Sequence, residues 1–319
     1  MEKTKVDSTY CEAFYGLFVR VLVTAERGIY PEDRSDPYLE KDELRFAAYR
    51  STSTPATVVG RTEAGIEGWL PATKTPDGRE GVILQFWSMY DEKKPLNSQI
   101  EKLYREFSIP VRQDILSCYT TSLFDWLKPS EGIEIVGLID TQRYIGDCGG
   151  GFERVDNEVI EVPLMGGQDF ILDKKLNVGK GVSGANLWFF CDTVLSGRKA
   201  GREAIKAISE IEGVITSFYI CPSGSMVANY KEIGPPTNYQ YCPSLKKEIE
   251  NSLVPEGIGA IPEIVIDGIS LEAVKKAMKV GIESIFEMEG VKRISAGNYG
   301  GKLGQVKLEL TEIVPELFR

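Results

Sequence analysis

Apolar positions in the second half of the chain recur at helical spacing in two segments. Residues 201–212 place four apolar side chains on one face: Ala204, Ile205, Ile208 and Ile211. Residues 270–289 place five on one face: Leu271, Val274, Ala277, Met278 and Ile282. This period predicts two amphipathic helices, and Ser270 is a candidate N-cap for the second. Each helix is followed, through the same Glu-Gly-Val, by a β-prone run, at 213–221 and at 290–297.

Apolar, β-prone stretches also precede both helices, at residues 185–197 and 261–268. Strand–helix–strand twice in succession is typical of a split βαβ, or ferredoxin-like, unit. The pattern therefore predicts an α+β fold built from ferredoxin-like split βαβ units, with an internal duplication.

The first half of the chain is less regular. Residues 14–24 are expected to form a helix that runs into a strand, and residues 81–89 and 132–140 are predicted buried strands. Residues 27–41 are polar and contain two prolines, which predicts an exposed loop or surface insertion.

A segment that combines glycines with charged residues, at 149–161, is a candidate hinge. It predicts two lobes, an N-terminal one over 1–160 and a C-terminal one over 161–319.

Composition restricts the classes of function. The net charge of −10 argues against a nucleic-acid partner, because phosphate binding depends on Lys and Arg. No apolar stretch is long enough to span a membrane, and the first one, at 13–25, carries Arg20, unlike a signal peptide. The six cysteines form no CxxC pair, so no zinc or iron–sulfur site is predicted. A cytoplasmic protein is expected.

The chain has no histidine. This excludes a Ser-His nucleophile, an imidazole base and an imidazole metal ligand. Acid–base chemistry must then come from carboxylate, Lys, Tyr or Cys side chains.

Two glycine-rich segments are candidates for a binding site. The C-terminal glycine loop (residues 295–305) contains Lys302 and follows a predicted strand. Its glycines would let backbone N–H groups approach an anion or a reacting carbonyl. The central glycine segment (residues 177–187) offers a similar lining. Composition alone favours a structural turn for both segments.

Glu263 lies in an otherwise apolar predicted strand. If its side chain points inward, desolvation raises the carboxyl pKa, and the group can exchange protons near neutral pH. If the strand is an edge strand, Glu263 can instead point outward. The alternation of the neighbouring isoleucines allows both orientations.

Several stretches together resemble one family, the formylmethanofuran:tetrahydromethanopterin formyltransferases of archaeal one-carbon metabolism. The C-terminal match runs through PEIVIDGISLEAVKKAMKVGIESI to EGVKRISAGNYGGKLGQ. Further matches are GVSGANLW, NYQYCPSL, TPDGREGV and AFYGLFVRVLVTA, which extend the resemblance over nearly the whole chain. Two departures stand out: the longer polar stretch at 27–41, and Ala185 where the family usually has glycine.

The resemblance implies a two-lobed protein that acts as a homo-oligomer, commonly a tetramer built from dimers. It implies no metal and no permanently bound cofactor, since methanofuran and tetrahydromethanopterin, the small-molecule C1 carriers, are both substrates. It also implies that the formyl group moves reversibly between methanofuran and N5 of the pterin, and direct amine attack through a tetrahedral intermediate is the expected mechanism.

The family's Glu near the formyl group matches Glu263, which is the expected catalytic residue, as a proton relay or a protonated hydrogen-bond donor. The glycine-rich segments supply the expected substrate-binding residues: Ser183, Gly184, Asn186, Asn298, Gly300, Gly301 and Lys302. Two alternatives remain open: the formyltransferase subunit of a bacterial-type formyltransferase/hydrolase complex, and a non-catalytic pterin-binding paralogue.

Overall fold

The structure, a computed structural model, describes residues 4–26, 43–54, 62–222, 224 and 238–318. These contain fourteen strands: β1 Lys5–Val6, β2 Tyr10–Ala25, β3 Glu63–Leu70, β4 Glu80–Met89, β5 Ser122–Asp125, β6 Glu134–Asp140, β7 Arg154–Val155, β8 Val159–Val162, β9 Phe170–Asp173, β10 Lys175–Cys191, β11 Val214–Thr216, β12 Glu263–Gly268, β13 Val291–Ser295 and β14 Val306–Glu309. They also contain five α-helices: α1 Glu43–Ser51, α2 Leu96–Pro110, α3 Val194–Ile208, α4 Leu271–Ile285 and α5 Leu310–Ile313. The predicted insertion at 27–41 lies outside the described residues.

The chain divides into two compact units whose boundaries fall inside β2 and β10. Unit 1 comprises Met1–Tyr15 and Gly181–Arg319, and unit 2 comprises Gly16–Lys180. The candidate hinge at 149–161 lies within unit 2 and contains β7. The predicted division into lobes at residue 160 stays a prediction.

Unit 1 contains one ferredoxin-like motif. Its elements follow the chain order β10-α3-β11-β12-α4-β13. The four strands lie side by side in the order β11-β12-β10-β13, and all neighbours are antiparallel. β1 adds to this sheet in parallel with β13. The start of β2, from Tyr10 to Ala13, pairs separately with β14.

Unit 2 repeats the motif with different residues. Its elements run β2-α1-β3-β4-α2-β5, and the strands lie in the order β3-β4-β2-β5, again antiparallel. β9 pairs in parallel with β5 and continues through β8 to β7. The same strand order in both units confirms the α+β class and the internal duplication.

The core of unit 1 lies between its sheet and helices α3 and α4. The side chains that the helical period predicted to face inward are mostly buried there, together with inward residues of β10 and β12: Ala204, Ile208, Val274, Ala277, Met278, Ile282, Leu187, Phe189, Ile264 and Ile266. Gly281 of α4 lies so close to α3 that a Cβ would be 3.0 Å from Ile208. This packing holds β12 at the centre of the sheet.

The helix predictions were right in kind, but the bounds differ: α3 starts earlier than predicted, and both helices end four residues before the predicted ends at 212 and 289. α4 has the predicted N-cap, since the Ser270 side chain accepts a hydrogen bond of 3.1 Å from the backbone N–H of Ala273. α3 begins at Val194, seven residues before the predicted start at 201 (201 − 194 = 7). Its first turn was misinterpreted as β-prone, although Thr193 and Ser196 form a capping box.

The helix predicted within residues 14–24 is wrong, because these residues belong to the 16-residue strand β2. Every residue from Gly16 to Ala25 is buried, so the strand is covered on both faces. β4 pairs with this whole stretch, and β5 pairs with Val21–Thr24 along the other edge. Such a strand shows no polar alternation, so its pattern does not distinguish it from a buried helix.

The strand predicted at 81–89 is β4, and it is buried as expected. The strand predicted at 132–140 is β6, but Ile139 is its one buried apolar residue in the structure. β6 pairs with the Lys175–Lys180 part of β10. Among the described residues, no helix has the length and apolar content needed to cross a membrane.

Candidate active site

Glu263 begins β12, a central strand of unit 1, and its side chain is only 1% exposed. Trp188 lies directly opposite it on β10, and the indole Nε1–H donates to Glu263 Oε1 at 2.9 Å. The backbone of Glu263 exchanges two hydrogen bonds of 2.9 Å with Cys221. The inward orientation is therefore correct, and the alternative of an outward residue on an edge strand is wrong.

The Trp188 ring is fixed by residues on several sides. Tyr241 meets it edge-on, with ring centroids 5.0 Å apart. Gly297, in the C-terminal glycine loop, packs against the ring system so closely that a Cβ there would be 2.8 Å from Trp188 Cζ2. This glycine is required by close packing.

Two cavities of unit 1 share Trp188, Asn238 and Tyr241 as walls. The larger, about 610 Å³, has a mainly apolar lining that includes Ile220 and Pro262. The smaller, about 560 Å³, has a mainly polar lining. Its charged and amide side chains are Lys5, Asp7, Asn238, Arg293 and Asn298. Trp188 thus borders both cavities with its ring and donates its indole N–H to the buried carboxylate of Glu263.

The C-terminal glycine loop is held from inside by Glu12, a residue of β2 that is only 1% exposed. Glu12 Oε1 accepts hydrogen bonds from the N–H groups of Tyr299, at 2.9 Å, and Gly301. Its Oε2 accepts from Leu303, at 3.0 Å, and Gly304, at 2.8 Å. The loop does bring N–H groups to an anion, as its glycines predicted, but that anion is a carboxylate of the same chain.

The electrostatics of Glu12 agree with this structural role. Burial by itself raises the pKa of the carboxyl, but the hydrogen bonds from Gly304, Leu303, Tyr299 and Gly301 outweigh it and hold the pKa below its ordinary value of 4.5. Glu12 is thus ionised at neutral pH. Sequence reasoning missed it, although its signal matches that of Glu263: a carboxylate inside an apolar strand.

Asn186 joins the two glycine-rich segments. It is only 1% exposed; its Oδ1 accepts from the N–H of Gly297 at 2.6 Å, and its Nδ2 donates to the carbonyl of Gly297 at 3.3 Å. Asn186 therefore fixes the glycine that packs against Trp188. Its role in the structure is to position the C-terminal glycine loop.

Ser183 and Gly184 lie in a β-bulge of β10, where the register to β12 shifts between Val182 and Ala185. Gly184 has φ +73°, and its N–H donates to the fully buried Asp267 at 2.7 Å. Ser183 is buried as well. Ala185, where the resemblance expects glycine, pairs with Ile266 in the core.

The remaining predicted residues lie on the exposed side of the C-terminal glycine loop. Asn298 lines the polar cavity and donates to the hydroxyl of Thr9 at 3.3 Å. Gly300, with φ +66°, donates its N–H to Asn298 Oδ1 at 3.1 Å. Gly301 and Lys302 follow and are exposed. Of the predicted residues, Asn298 lines a cavity, and Glu263 is bonded to Trp188, which lines both cavities. Ser183 and Gly184 instead lie in the β-bulge whose Gly184 N–H is bound by Asp267.

The described residues contain no group of three or more Cys, Asp or Glu side chains placed to hold a metal ion. Cys11 and Cys191 are buried in unit 1, and burial raises the pKa of each thiol to about 12. Both stay protonated at neutral pH, as expected for cysteines that serve as small core residues.

Comparison with known proteins assigns the fold to a family. The model of the formylmethanofuran-tetrahydromethanopterin formyltransferase matches residues 1–164, and the model of the proximal lobe of the same protein matches residues 168–313. The chain belongs to this formyltransferase family. Its two matched segments meet near residue 165.

Relatives and solved structures of the family cover nearly the whole chain. A formyltransferase-like protein of Methanopyrus kandleri is 42% identical, covering 98% of this chain and 97% of the relative. The formyltransferase of Methanocaldococcus jannaschii is 37% identical, covering 97% of both.

Among structures, the formyltransferase of Methanosarcina barkeri superposes with a TM-score of 0.80 at 32% identity, covering 97% of this chain and 98% of that one. A chain of the formyltransferase/hydrolase complex of Methylorubrum extorquens, solved with methylofuran, gives 0.79 at 27% identity, covering 97% of this chain and 96% of that one.

Proposed function

We propose that this chain transfers a formyl group reversibly between methanofuran and N5 of tetrahydromethanopterin. Membership of the formyltransferase family and the 37% identity to a formyltransferase support the reaction. The observation that carries the proposal is the position of Glu263. It is a buried carboxylate bonded to a tryptophan that borders two cavities.

The reaction needs two amines held in line, a route for one proton and stabilisation of the developing oxyanion. The attacking nitrogen adds to the formyl carbon, and the tetrahedral intermediate then expels the other nitrogen, which takes up the proton. Positioning of the two carriers can contribute up to about 7–11 kcal/mol. In this proposal both carriers are substrates, and no permanently bound cofactor or metal takes part.

Glu263 either relays the proton between the two nitrogens or, when protonated, donates a hydrogen bond to the carbonyl oxygen. Asn298 and Lys302 contact the carriers from the exposed side of the C-terminal glycine loop. Asn186, Ser183 and Gly184 act by shaping the wall behind it. The protein works in the cytoplasm as a homo-oligomer.

The test is an assay of the purified chain with formylmethanofuran and tetrahydromethanopterin, next to a Glu263→Gln variant. Wild type is expected to turn over, and the variant to lose about 100-fold or more in kcat. The Kd of each carrier, measured by calorimetry, is expected to stay within about threefold, because glutamine is nearly isosteric. Near-wild-type turnover with intact binding would remove Glu263 from the mechanism.

A second candidate is a non-catalytic paralogue that binds a pterin. The observation behind it is one of naming: the relative of M. kandleri, 42% identical, is described as formyltransferase-like, and that of M. jannaschii, 37% identical, as a formyltransferase. The same assay separates the two functions. A paralogue binds tetrahydromethanopterin, yet its formyl transfer does not exceed that of Glu263→Gln.

A further inference from the structure

Glu263 is contacted in the candidate active site by Trp188, a residue that the sequence analysis did not assign to the site. The two are direct cross-strand partners in the β10–β12 ladder, so their side chains project from the same face of the sheet. Trp188 is 6% exposed and Glu263 1%, and the donor–acceptor distance is 2.9 Å. A hydrogen bond to a carboxylate at such burial is roughly twice as strong as a neutral one.

Neighbouring side chains hold the indole so that its N–H keeps pointing at the Glu263 carboxylate. Tyr241 packs against the ring edge, Phe190 and Val254 belong to the same apolar cluster, and Gly297 packs against it. Asn186 in turn fixes Gly297 by two hydrogen bonds. A fixed donor gives a fixed carboxylate orientation, which is what proton transfer to a defined atom requires.

We infer that Trp188 is the positioning residue of Glu263: its indole N–H orients the carboxylate and stabilises the ionised form, while its ring separates the two cavities in which the carriers react. This inference rests on the proposed function. It assigns to Trp188 no contact with the transferred proton, which belongs to Glu263.

The test is the Trp188→Phe variant, which keeps an aromatic ring between the cavities and removes the N–H. Loss of the donor is expected to lower kcat about tenfold, with the KM of each carrier changed less than about threefold. The limb of the pH–kcat profile that Glu263→Gln abolishes should move up by about one pH unit, because the donor favours the ionised carboxylate. The direction is the same whether Glu263 acts as relay or as donor.

Trp87→Phe is the matched control. Trp87 is fully buried in unit 2, and its Nε1–H also makes a 2.9 Å bond, to Gln85 rather than to a carboxylate of the site. This control loses an indole N–H bond of the same length, to a neutral acceptor, and some stability, but its pH–kcat limb should stay where it is in wild type. An unchanged limb in Trp188→Phe, or an equal shift in Trp87→Phe, overturns the inference.

A second variant keeps the inference testable if Trp188→Phe does not fold. The analogue β-(3-benzothienyl)alanine at position 188 replaces the N–H by sulfur and keeps the shape of the ring, so it should reproduce the shift of the limb. If it leaves the limb unchanged, the inference is wrong even when Trp188→Phe fails to fold.

A measurement without substrates separates this inference from the proposed function. In a double-mutant cycle, the Tm loss caused by Trp188→Phe should be at least halved in a Glu263→Met background, since methionine offers no carboxylate to the N–H. Additive Tm losses show that the bond does not form and overturn the inference whatever the activity. If the cycle shows that the two residues are coupled but the wild type does not turn over, the proposed function is wrong, and the positioning role that rests on it is wrong as well.

Discussion

Two carboxylates inside apolar strands of unit 1 have opposite surroundings. Glu12 accepts four backbone N–H groups of the C-terminal glycine loop. Glu263 accepts an indole N–H at the boundary of two cavities. Four strong donors hold Glu12 in one ionised state, which suits a structural anchor and not a proton carrier. Glu12 is therefore unsuited to exchange a proton, and the proposed function assigns that role to Glu263.

The role of Glu12 leads to a prediction about stability. Glutamine at position 12 keeps one acceptor oxygen but turns an N–H₂ donor toward two backbone donors. We expect Glu12→Gln to lower the free energy of unfolding by about 2–4 kcal/mol at pH 7, measured by urea denaturation. Glu309→Gln, a half-exposed position of β14, is the control and should stay within about 0.5 kcal/mol of wild type.

The same variant carries a pH dependence with a defined sign. Because the folded pKa of Glu12 lies below its ordinary value of 4.5, its contribution to stability is complete above that value. It is lost as the pH falls through the folded pKa. The difference between wild type and Glu12→Gln should therefore be constant from pH 7 to about pH 5 and shrink in more acid solution. A constant difference down to pH 2.5 would contradict this account.

At the residue scale, the sequence showed which side chains were unusual but not what they contact. A carboxylate in an apolar strand is visible at Glu263, and its inward orientation was one of two open alternatives. Glu12 has the same signal, yet its partners lie 287 to 292 positions away. Contacts of that separation follow from the pairing of β2 with β14, which no local pattern shows.

At the scale of elements, local signals worked where the element carries its own cap. The helical period and Ser270 located α4 to within a few residues. α3 was placed late because its capping box pairs Thr193 with Ser196, not with the more familiar Glu or Gln. β2 was misassigned in part because burial on both faces removes alternation. Capping chemistry is local and readable, whereas two-sided burial is a property of the finished sheet.

The N-cap of α4 provides a prediction at this scale. Ser270→Ala removes the acceptor of the 3.1 Å bond from Ala273 N–H and should cost about 1 kcal/mol of unfolding free energy. Ser284→Ala on the same helix is the matched control. Ser284 is an exposed residue whose hydroxyl donates back to the carbonyl of Gly281, so removal should be within about 0.5 kcal/mol of neutral. Equal losses at the two positions would show that the cap contributes nothing of its own.

At the scale of the whole molecule, the ferredoxin-like motif was predictable from the second half of the chain, and the boundaries between units were not. The C-terminal half displays the β-α-β-β-α-β order openly, since its helices are amphipathic and well separated. The copy in unit 2 is masked in the sequence by the continuous apolar run of β2 and by the weak period of α1. A shift in composition is the signal that marks a linker between domains. Here the chain passes from one unit to the other inside the long strands β2 and β10, which are not linkers, so that signal is missing.

The proposed homo-oligomer makes a prediction about one hairpin of unit 2. Arg154 pairs with Glu161 in the β7–β8 hairpin, so Phe152 and Met165 flank its open end. Phe152 is 79% exposed and Met165 fully exposed, an unusual state for large apolar side chains. We expect light scattering to give the mass of a tetramer, and Phe152→Ser combined with Met165→Ser to reduce it to that of a dimer or monomer.

Asn157→Ser, at the turn of the same hairpin, is the control, because it alters an exposed polar position and should leave the mass unchanged. A tetramer that survives the double variant would place the interface elsewhere. A wild-type chain that is monomeric and inactive alone, but active after addition of hydrolase subunits, would favour the complex seen in the M. extorquens relative. Mass and activity measured on one sample therefore separate the two assemblies: an autonomous enzyme turns over in the tetramer peak, whereas a subunit of a larger complex gains activity only with its partners.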